Sequence, residues 1–151
     1  MTKNSEVFAD TGVLLRATIA SAPLHKEAKA LLLAHGNGDG EIWISRQVLR
    51  EMLVNLTRPQ SWMEPLPIER VLEIADTAQT LYHIADDTTG VTTHLLALLK
   101  AYPTGGKQVH DANIVATMLA YGIDTLLTHN VDDFERFENV ITVVPLVKEQ
   151  T

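Results

Sequence analysis

The sequence predicts an α/β fold, a three-layer sandwich in which a mainly parallel central sheet of about five strands is flanked by helices. Two observations predict it. Short apolar runs alternate along the whole chain with longer stretches whose apolar residues recur at helical spacing. Strands separated in this way by helices are joined through right-handed crossovers, which demand parallel pairing and a sheet covered on both faces.

Taken in order, residues 7–9 form a short strand that delivers Asp10, and residues 13–20 read as helix. Ser21 and Pro23 mark the start of a second helix, rich in alanine and leucine, over 24–35. The run Gly36-Asn37-Gly38-Asp39-Gly40 is a loop. Residues 41–44 form the second strand, and Ser45 is suited to cap the helix that follows to about Leu56. Pro59, Pro65 and Pro67 break the pattern; Pro67 sits in the first turn of a helix reaching Leu81, with Ile68, Val71, Leu72, Ala75 and Ala78 along one side. Residues 82–85 form a third strand. Thr88 or Thr89 caps a helix through Leu95, Leu96, Leu98 and Leu99, ending near Tyr102 and Pro103. After the loop 104–106, residues 110–121 read as helix stopped by Gly122. Residues 125–128 and 140–144 supply the fourth and fifth strands.

The length, 151 residues, suits one domain spanning 1–151, which buries about 68–70% of its unfolded surface. No repeat or low-complexity tract divides it. Apolar residues at 46% and charged residues at 21% exclude a disordered chain. The absence of cysteine removes disulfides and thiolate zinc sites together and agrees with a reducing cytoplasm. Met1 to Phe8 lacks the apolar core of a signal peptide, and no apolar run approaches the roughly 18 residues that cross a bilayer. A soluble cytoplasmic protein without membrane association is expected. The net charge of −7 argues against a broad basic surface that coats nucleic acid. It leaves room for an enzyme whose acids gather around a cation.

Four acids fall where that arrangement requires them. Asp10 ends the first strand, Glu51 lies in the helix after the second, Asp111 opens the helix after the 104–106 loop, and Asp133 follows the fourth strand. Ligands of open parallel sheets bind in the crevice beyond the carboxyl ends of the strands, the edge that Asp10 and Asp133 reach directly. Glu51 borders the apolar stripe Val48, Leu49, Met52, Leu53 and Leu56, beside Val48 and one turn before Asn55. Four converging carboxylates repel: at an effective dielectric near 20, two like charges about 4 Å apart cost roughly 4 kcal/mol. Either some protonate or a divalent cation neutralises them. Oxygen donors without cysteine or a compact histidine pair suit magnesium or manganese and not zinc. Such an ion activates water and stabilises the charge that develops in phosphodiester cleavage. The plain alternative for any one acid is a solvated or capping role. Asp111 suits a helix N-terminus, and Asp132 and Asp133 suit the short turn 132–137.

The combination of motifs resembles the PIN-domain family, and within it the VapC-like toxins of toxin–antitoxin systems, over nearly the whole chain. The resemblance rests on Val7-Phe8-Ala9-Asp10-Thr11 with its apolar continuation, on the glutamate of Ser45-Arg46-Gln47-Val48-Leu49-Arg50-Glu51, and on Lys107-Gln108-Val109-His110-Asp111-Ala112-Asn113. The most specific motif is Leu126-Leu127-Thr128-His129-Asn130-Val131-Asp132-Asp133-Phe134. It implies a PIN-like sandwich, metal-dependent hydrolysis of RNA phosphodiester bonds, and a small antitoxin partner. It maps the metal-site acids onto Asp10, Glu51, Asp111 and Asp133, with Thr11, Thr128 and Asn130 supporting them. Asp133 fits by its spacing from Asn130 and its neighbour Phe134; Asp132 sharing that role stays open.

The chain departs from the family at two places. Gly12 stands where Asn or Ser is common, removing a polar contact, and His129 stands where arginine is common. Arg46, Arg50, Lys107 and Arg136 lie near motifs and, with His129, are candidates to contact RNA phosphates around the rim. Asp10-Thr11-Gly12 is also the tripeptide of aspartic proteases, but the long helical stretches disagree with their almost all-strand fold. A haloacid-dehalogenase phosphatase needs an aspartate at position 12, where Gly12 stands. An RNA-binding or RNA-processing module of the same fold without a toxin role is the remaining alternative. The helical stretches 14–20, 24–33 and 68–81 carry more apolar surface than one core absorbs, so a groove for an antitoxin segment, a homodimer face, or both are expected.

Overall fold

A computed structural model describes residues 6–36 and 41–147; the loop expected over 37–40 lies outside them. The five strands are β1 (Glu6–Ala9), β2 (Glu41–Ser45), β3 (His83–Ala85), β4 (Thr125–Thr128) and β5 (Thr142–Pro145). All pair in parallel, in the order β3-β2-β1-β4-β5. The central strand β1 is buried: Val7, Phe8 and Ala9 all belong to the core, and Phe8 stands in register with Trp43 on one side and Leu126 on the other. A continuous apolar run of this kind belongs to a strand covered on both faces.

Six α-helices connect the strands: α1 (Thr11–Thr18), α2 (His25–Gly36), α3 (Arg46–Leu56), α4 (Ile68–Leu81), α5 (Thr89–Ala101) and α6 (Gln108–Ala120). A 3-10 helix covers Val131–Phe137 between β4 and β5. Helix α1 packs against α2 and α3, and α5 against α6. Going from β1 to β2 and β3 the chain moves outward on one side, then returns across β1 to lay down β4 and β5 on the other. The reversal opens a crevice between the ends of β1 and β4, which is where an α/β sheet takes its ligand. Among the described residues, no helix is long and apolar enough to cross a membrane.

Most expected elements are present, with three informative differences. Helix α1 starts at Thr11, two residues early, because Asp10 caps it: the Asp10 carboxylate accepts the Thr11 N–H and the Asp10 carbonyl accepts those of Val13 and Leu14. Strand β5 starts two residues late, because the N–H groups of Val140 and Ile141 are turned back onto the Phe137 carbonyl and cannot join a ladder. Helix α4 buries Val71, Ile74 and Ala78 against α3 and β3, whereas Ile68 and Leu72 are each 56% exposed. Ile74 and Ala78 follow Val71 at spacings of three and seven on the packed side, Leu72 falls off it, and Ile68, although three residues before Val71, stands exposed in the first turn.

The two serine and threonine caps hold as expected. Ser45 Oγ accepts the Val48 N–H at the start of α3, and Thr88 Oγ1 accepts that of Val91 at the start of α5. Helix α6 ends on Gly122, whose φ of 72° lies in the left-handed region. The Ile123 N–H returns to the Met118 carbonyl at 2.9 Å and the Gly122 N–H to Leu119, a closure that needs a residue without a Cβ penalty. A Cβ at position 122 meets nothing within 4 Å, so the only cost of adding one is conformational. Gly122→Ala should destabilise the protein by about 1 kcal/mol, lowering Tm by roughly 2–4 °C in calorimetry, with the far-ultraviolet circular dichroism unchanged.

Candidate active site

The site grows from the end of β1. The backbone N–H of Asp10 extends the β1–β4 ladder by donating to Leu127 at 3.0 Å, which fixes the side chain over the crevice. Its Oδ1 accepts the Thr11 N–H at 2.7 Å and its Oδ2 accepts the Thr128 hydroxyl at 2.9 Å. Thr128 ends β4 and is fully buried; its Oγ1 accepts the Asn130 N–H at 3.0 Å, shaping the turn that leads to the 3-10 helix. One hydroxyl therefore joins the first acid to the loop that carries Asn130, Asp132 and Asp133.

Glu51 reaches the same place from α3. Its Oε1 accepts the Thr11 hydroxyl at 2.7 Å and its Oε2 accepts Gln47 Nε2 at 3.0 Å. Thr11 thus supports both Asp10 and Glu51, one through its backbone and one through its side chain. Gln47 is buried and also donates to the His110 carbonyl at 2.9 Å, while its Oε1 accepts Asn113 Nδ2 at 2.8 Å. These bonds tie α3 to the first turns of α6 on either side of Asp111. Neither Gln47 nor Asn113 stood among the expected site residues. The signal was there for Gln47, four residues before Glu51 on one helix.

The electrostatics record the convergence. Burial is the main cause that raises the Asp10 carboxyl to about 6, with Glu51 and Asp133 adding repulsion against the opposing bonds from Thr128 and Thr11. Asp111 is raised to about 7, first by burial and then by Asp133, Asp10 and Glu51; Arg136 offsets part of this. Asp10 and Asp111 therefore each feel the charges of Glu51 and Asp133, and Asp111 also feels that of Asp10. Asp10, Glu51 and Asp111 line one cleft of about 450 Å³. Asp133 lines an adjoining cleft of about 470 Å³ with Asp132 and His129, and Asn130 borders both.

Among the described residues, no three His, Asp or Glu side chains close tightly enough around one point to hold an ion by direct ligation alone. Magnesium does not need that: it keeps several waters and takes one or two carboxylates, whereas a zinc site closes on three or four protein ligands. The donor set is all oxygen, and the most buried member, Asp10, has no cationic side chain among its hydrogen-bond partners. The residues present fit a hydrated divalent cation.

Of the expected basic residues, Arg136 acts on Asp111, and the others are dispersed. Arg46 is paired with Asp86 at 3.0 Å, both largely exposed; Arg50 and Lys107 are exposed and stand off the cleft walls. His129 stands beside the second cleft, its pKa lowered by burial and by Arg16. The cations on the main cleft are instead Arg16 and Arg58, joined by Trp62. Arg16 Nη1 donates to the Gly12 carbonyl at 3.3 Å, and a Cβ at Gly12 would stand 3.4 Å from that nitrogen.

Comparison with known proteins agrees with this geometry. The PIN-domain family profile matches residues 7–140, and the chain belongs to that family, a family of nucleases. It is 29% identical over 138 residues to a protein of Mycobacterium tuberculosis named Ribonuclease VapC48, spanning 90% of this chain and 94% of that one. In structure it is similar to a toxin–antitoxin complex from Klebsiella pneumoniae, with a TM-score of 0.67, 21% identity, and 95% of this chain and 99% of the other covered. It is also similar to VapBC2 of Rickettsia felis bound to a DNA fragment from their promoter, with a TM-score of 0.63, 19% identity, and 93% and 98% covered. At these identities the two structures establish the fold.

The raised carboxyls set the pH response of the metal-free protein. A carboxyl whose pKa is higher folded than unfolded binds more protons in the native state, so it adds stability below its unfolded value near 3.8 that is lost as pH rises through about 7 for Asp111. Asp111→Asn should therefore raise Tm at pH 8 in chelator and leave it nearly unchanged at pH 4, and magnesium should narrow the difference by stabilising the parent. An equal shift of Tm at both pH values would show that the carboxylate cluster is not the cause.

Proposed function

We propose that the protein is a magnesium-dependent ribonuclease that hydrolyses RNA phosphodiester bonds in the cytoplasm, the toxin of a toxin–antitoxin pair. One observation carries the reading. Acids from four separated stretches of chain share a single electrostatic field at the β1–β4 crevice, and two of them are raised to about 6 and about 7. A fold that collects mutually repelling carboxylates at its ligand crevice sacrifices stability for a function at that place. The relative named Ribonuclease VapC48 supports the choice of reaction.

Asp10 and Asp111 would hold the ion, with Glu51 and Asp133 completing its surroundings; manganese suits the same oxygen donors. When bound, the ion supplies an activated water and neutralises the charge on the cleaved phosphate. The chain's own residues do the positioning. Thr128 and the Thr11 N–H hold Asp10, and Thr11 and Gln47 hold Glu51, so each carboxylate keeps one orientation through the reaction. Asn130 borders the space where the scissile phosphate would lie, and Asp132 flanks Asp133 there.

The antitoxin partner and a homodimer rest on the apolar surface and on the complexes that the chain is similar to. Leu33, Ile68, Leu72 and Leu81 are exposed, and a shallow groove of about 90 Å³ runs between α1, α3 and α4, lined by Leu14, Met52, Ile74, Leu81 and Tyr82. A surface of this kind is where an amphipathic segment of a small partner would dock.

The test is cleavage of a mixed RNA substrate by the purified chain. Activity should need magnesium or manganese, vanish in chelator and return on adding the ion. Asp10→Asn and Asp111→Asn should each lose at least about 100-fold in kcat, the scale on which a metal or its orienting groups act. RNA that is bound but left uncut under all these conditions would reject the enzyme in favour of a binding module.

A further inference from the structure

The acids are only part of the lining of the main cleft. Arg16 from α1, Arg58 just past the end of α3, and Trp62 from the turn that follows line it too. The segment that carries Arg58 and Trp62 is a part of the wall that is built and held. Gln60 and Met63 exchange backbone hydrogen bonds at 2.8 and 3.3 Å, which puts Ser61 and Trp62 at the tip of a tight turn. Gln60 Nε2 donates to the Asn55 carbonyl at 3.1 Å, Arg58 Nη2 donates to Asn55 Oδ1 at 2.9 Å, and the Leu66 N–H closes the segment onto the Leu56 carbonyl at 3.0 Å.

Trp62 is half-buried, packed in part against the core while also lining the cleft. The other tryptophan is employed differently. Trp43 lies on β2, stacked on His83 with ring centres 5.0 Å apart, and its Nε1 donates to Glu6. The two arginines are likewise uncommitted to any acid: among the described residues neither Arg16 nor Arg58 lies within ion-pair distance of a carboxylate. Arg16 Nε is buried without a hydrogen-bond partner, and its Nη1 is engaged only by the neighbouring Gly12 carbonyl. A held aromatic side chain and two guanidinium groups without an acid partner thus share with the carboxylates one cleft of about 450 Å³, a volume within the roughly 300–1,000 Å³ of sites that enclose a small ligand.

We propose that this wall is a subsite for one unpaired nucleotide, its base stacked on Trp62 and the flanking phosphates met by Arg58 and Arg16. The inference rests on the nuclease reading and assigns Trp62, Arg58 and Arg16 as the residues of this chain that position the strand in the cleft. Bases already paired and stacked in a duplex offer no face to Trp62, whereas an unstacked base can be laid on an aromatic ring beside a cation. Stacking tolerates every base, so the subsite selects strandedness and not sequence.

The experiment uses the full chain carrying Asp10→Asn, with magnesium, titrated with a seven-nucleotide RNA (~2 nm long) and with the same sequence as a duplex. Tryptophan emission should be quenched by the single strand, and the duplex should bind at least about tenfold more weakly. Trp62→Phe keeps a stacking ring and should hold affinity within about threefold while losing the quench; Trp62→Leu keeps apolar packing and should lose about tenfold. Arg58→Gln, at an exposed position, should weaken binding and reduce its salt dependence. Equal affinity for strand and duplex, a quench that persists in Trp62→Phe, or unchanged affinity in both Trp62→Leu and Arg58→Gln would overturn the subsite. If Trp62→Leu fails to fold, the Phe and Arg58→Gln results decide alone. Binding that depends on Trp62, together with no cleavage by the parent chain with Asp10 intact and magnesium present, would retain the subsite and reject the nuclease, whereas metal-dependent cleavage by the parent chain that is indifferent to Trp62 and Arg58 would do the reverse.

Discussion

The Asp10 carboxylate is buried at the point where β1 and β4 part, and everything else in the site is arranged around keeping it there. Two hydrogen bonds, from the Thr128 hydroxyl and the Thr11 N–H, favour its charged form, each contributing on the order of 1.5–3 kcal/mol as bonds to an ionised group do. Burial and the neighbouring acids oppose them and prevail, since the carboxyl remains raised to about 6. The balance is close by construction. A divalent cation in the crevice would offset that repulsion.

That balance explains why the supporting residues are shared between acids. Thr11 serves Asp10 with its N–H and Glu51 with its hydroxyl, and Gln47 serves Glu51 while tying α3 to α6 on either side of Asp111. If each acid were held by its own partners, the four elements could drift apart under their mutual repulsion. Shared donors make that separation cost several hydrogen bonds at once, which converts a repelling cluster into a fixed constellation.

The distribution of charge follows the same logic. A chain with a net charge of −7 repels polyanions through its overall field, so any contact to a phosphate depends on cations placed locally. Arg46, near a motif, is consumed by Asp86. Arg16 stands over Gly12 with one nitrogen unpartnered.

The local rules of the chain determined most of the fold and the four acids. Strand and helix alternation implied the parallel sheet, Ser45 and Gly122 stand where capping chemistry puts them, and Asp10 and Asp133 follow strands whose ends had to meet at a crevice. These are short-range facts, legible because a strand, a cap or a turn depends on neighbours within a few residues. Only the tertiary structure decided which side of α4 is buried, leaving Ile68 and Leu72 in solvent. It also decided that Gln47 bonds across 63 residues to His110, and that Arg16, Arg58 and Trp62, and not Arg50 or Lys107, line the cleft with the acids. Those outcomes depend on where one element lies against another, and the spacing of residues along a single element carries no record of the partner it will meet.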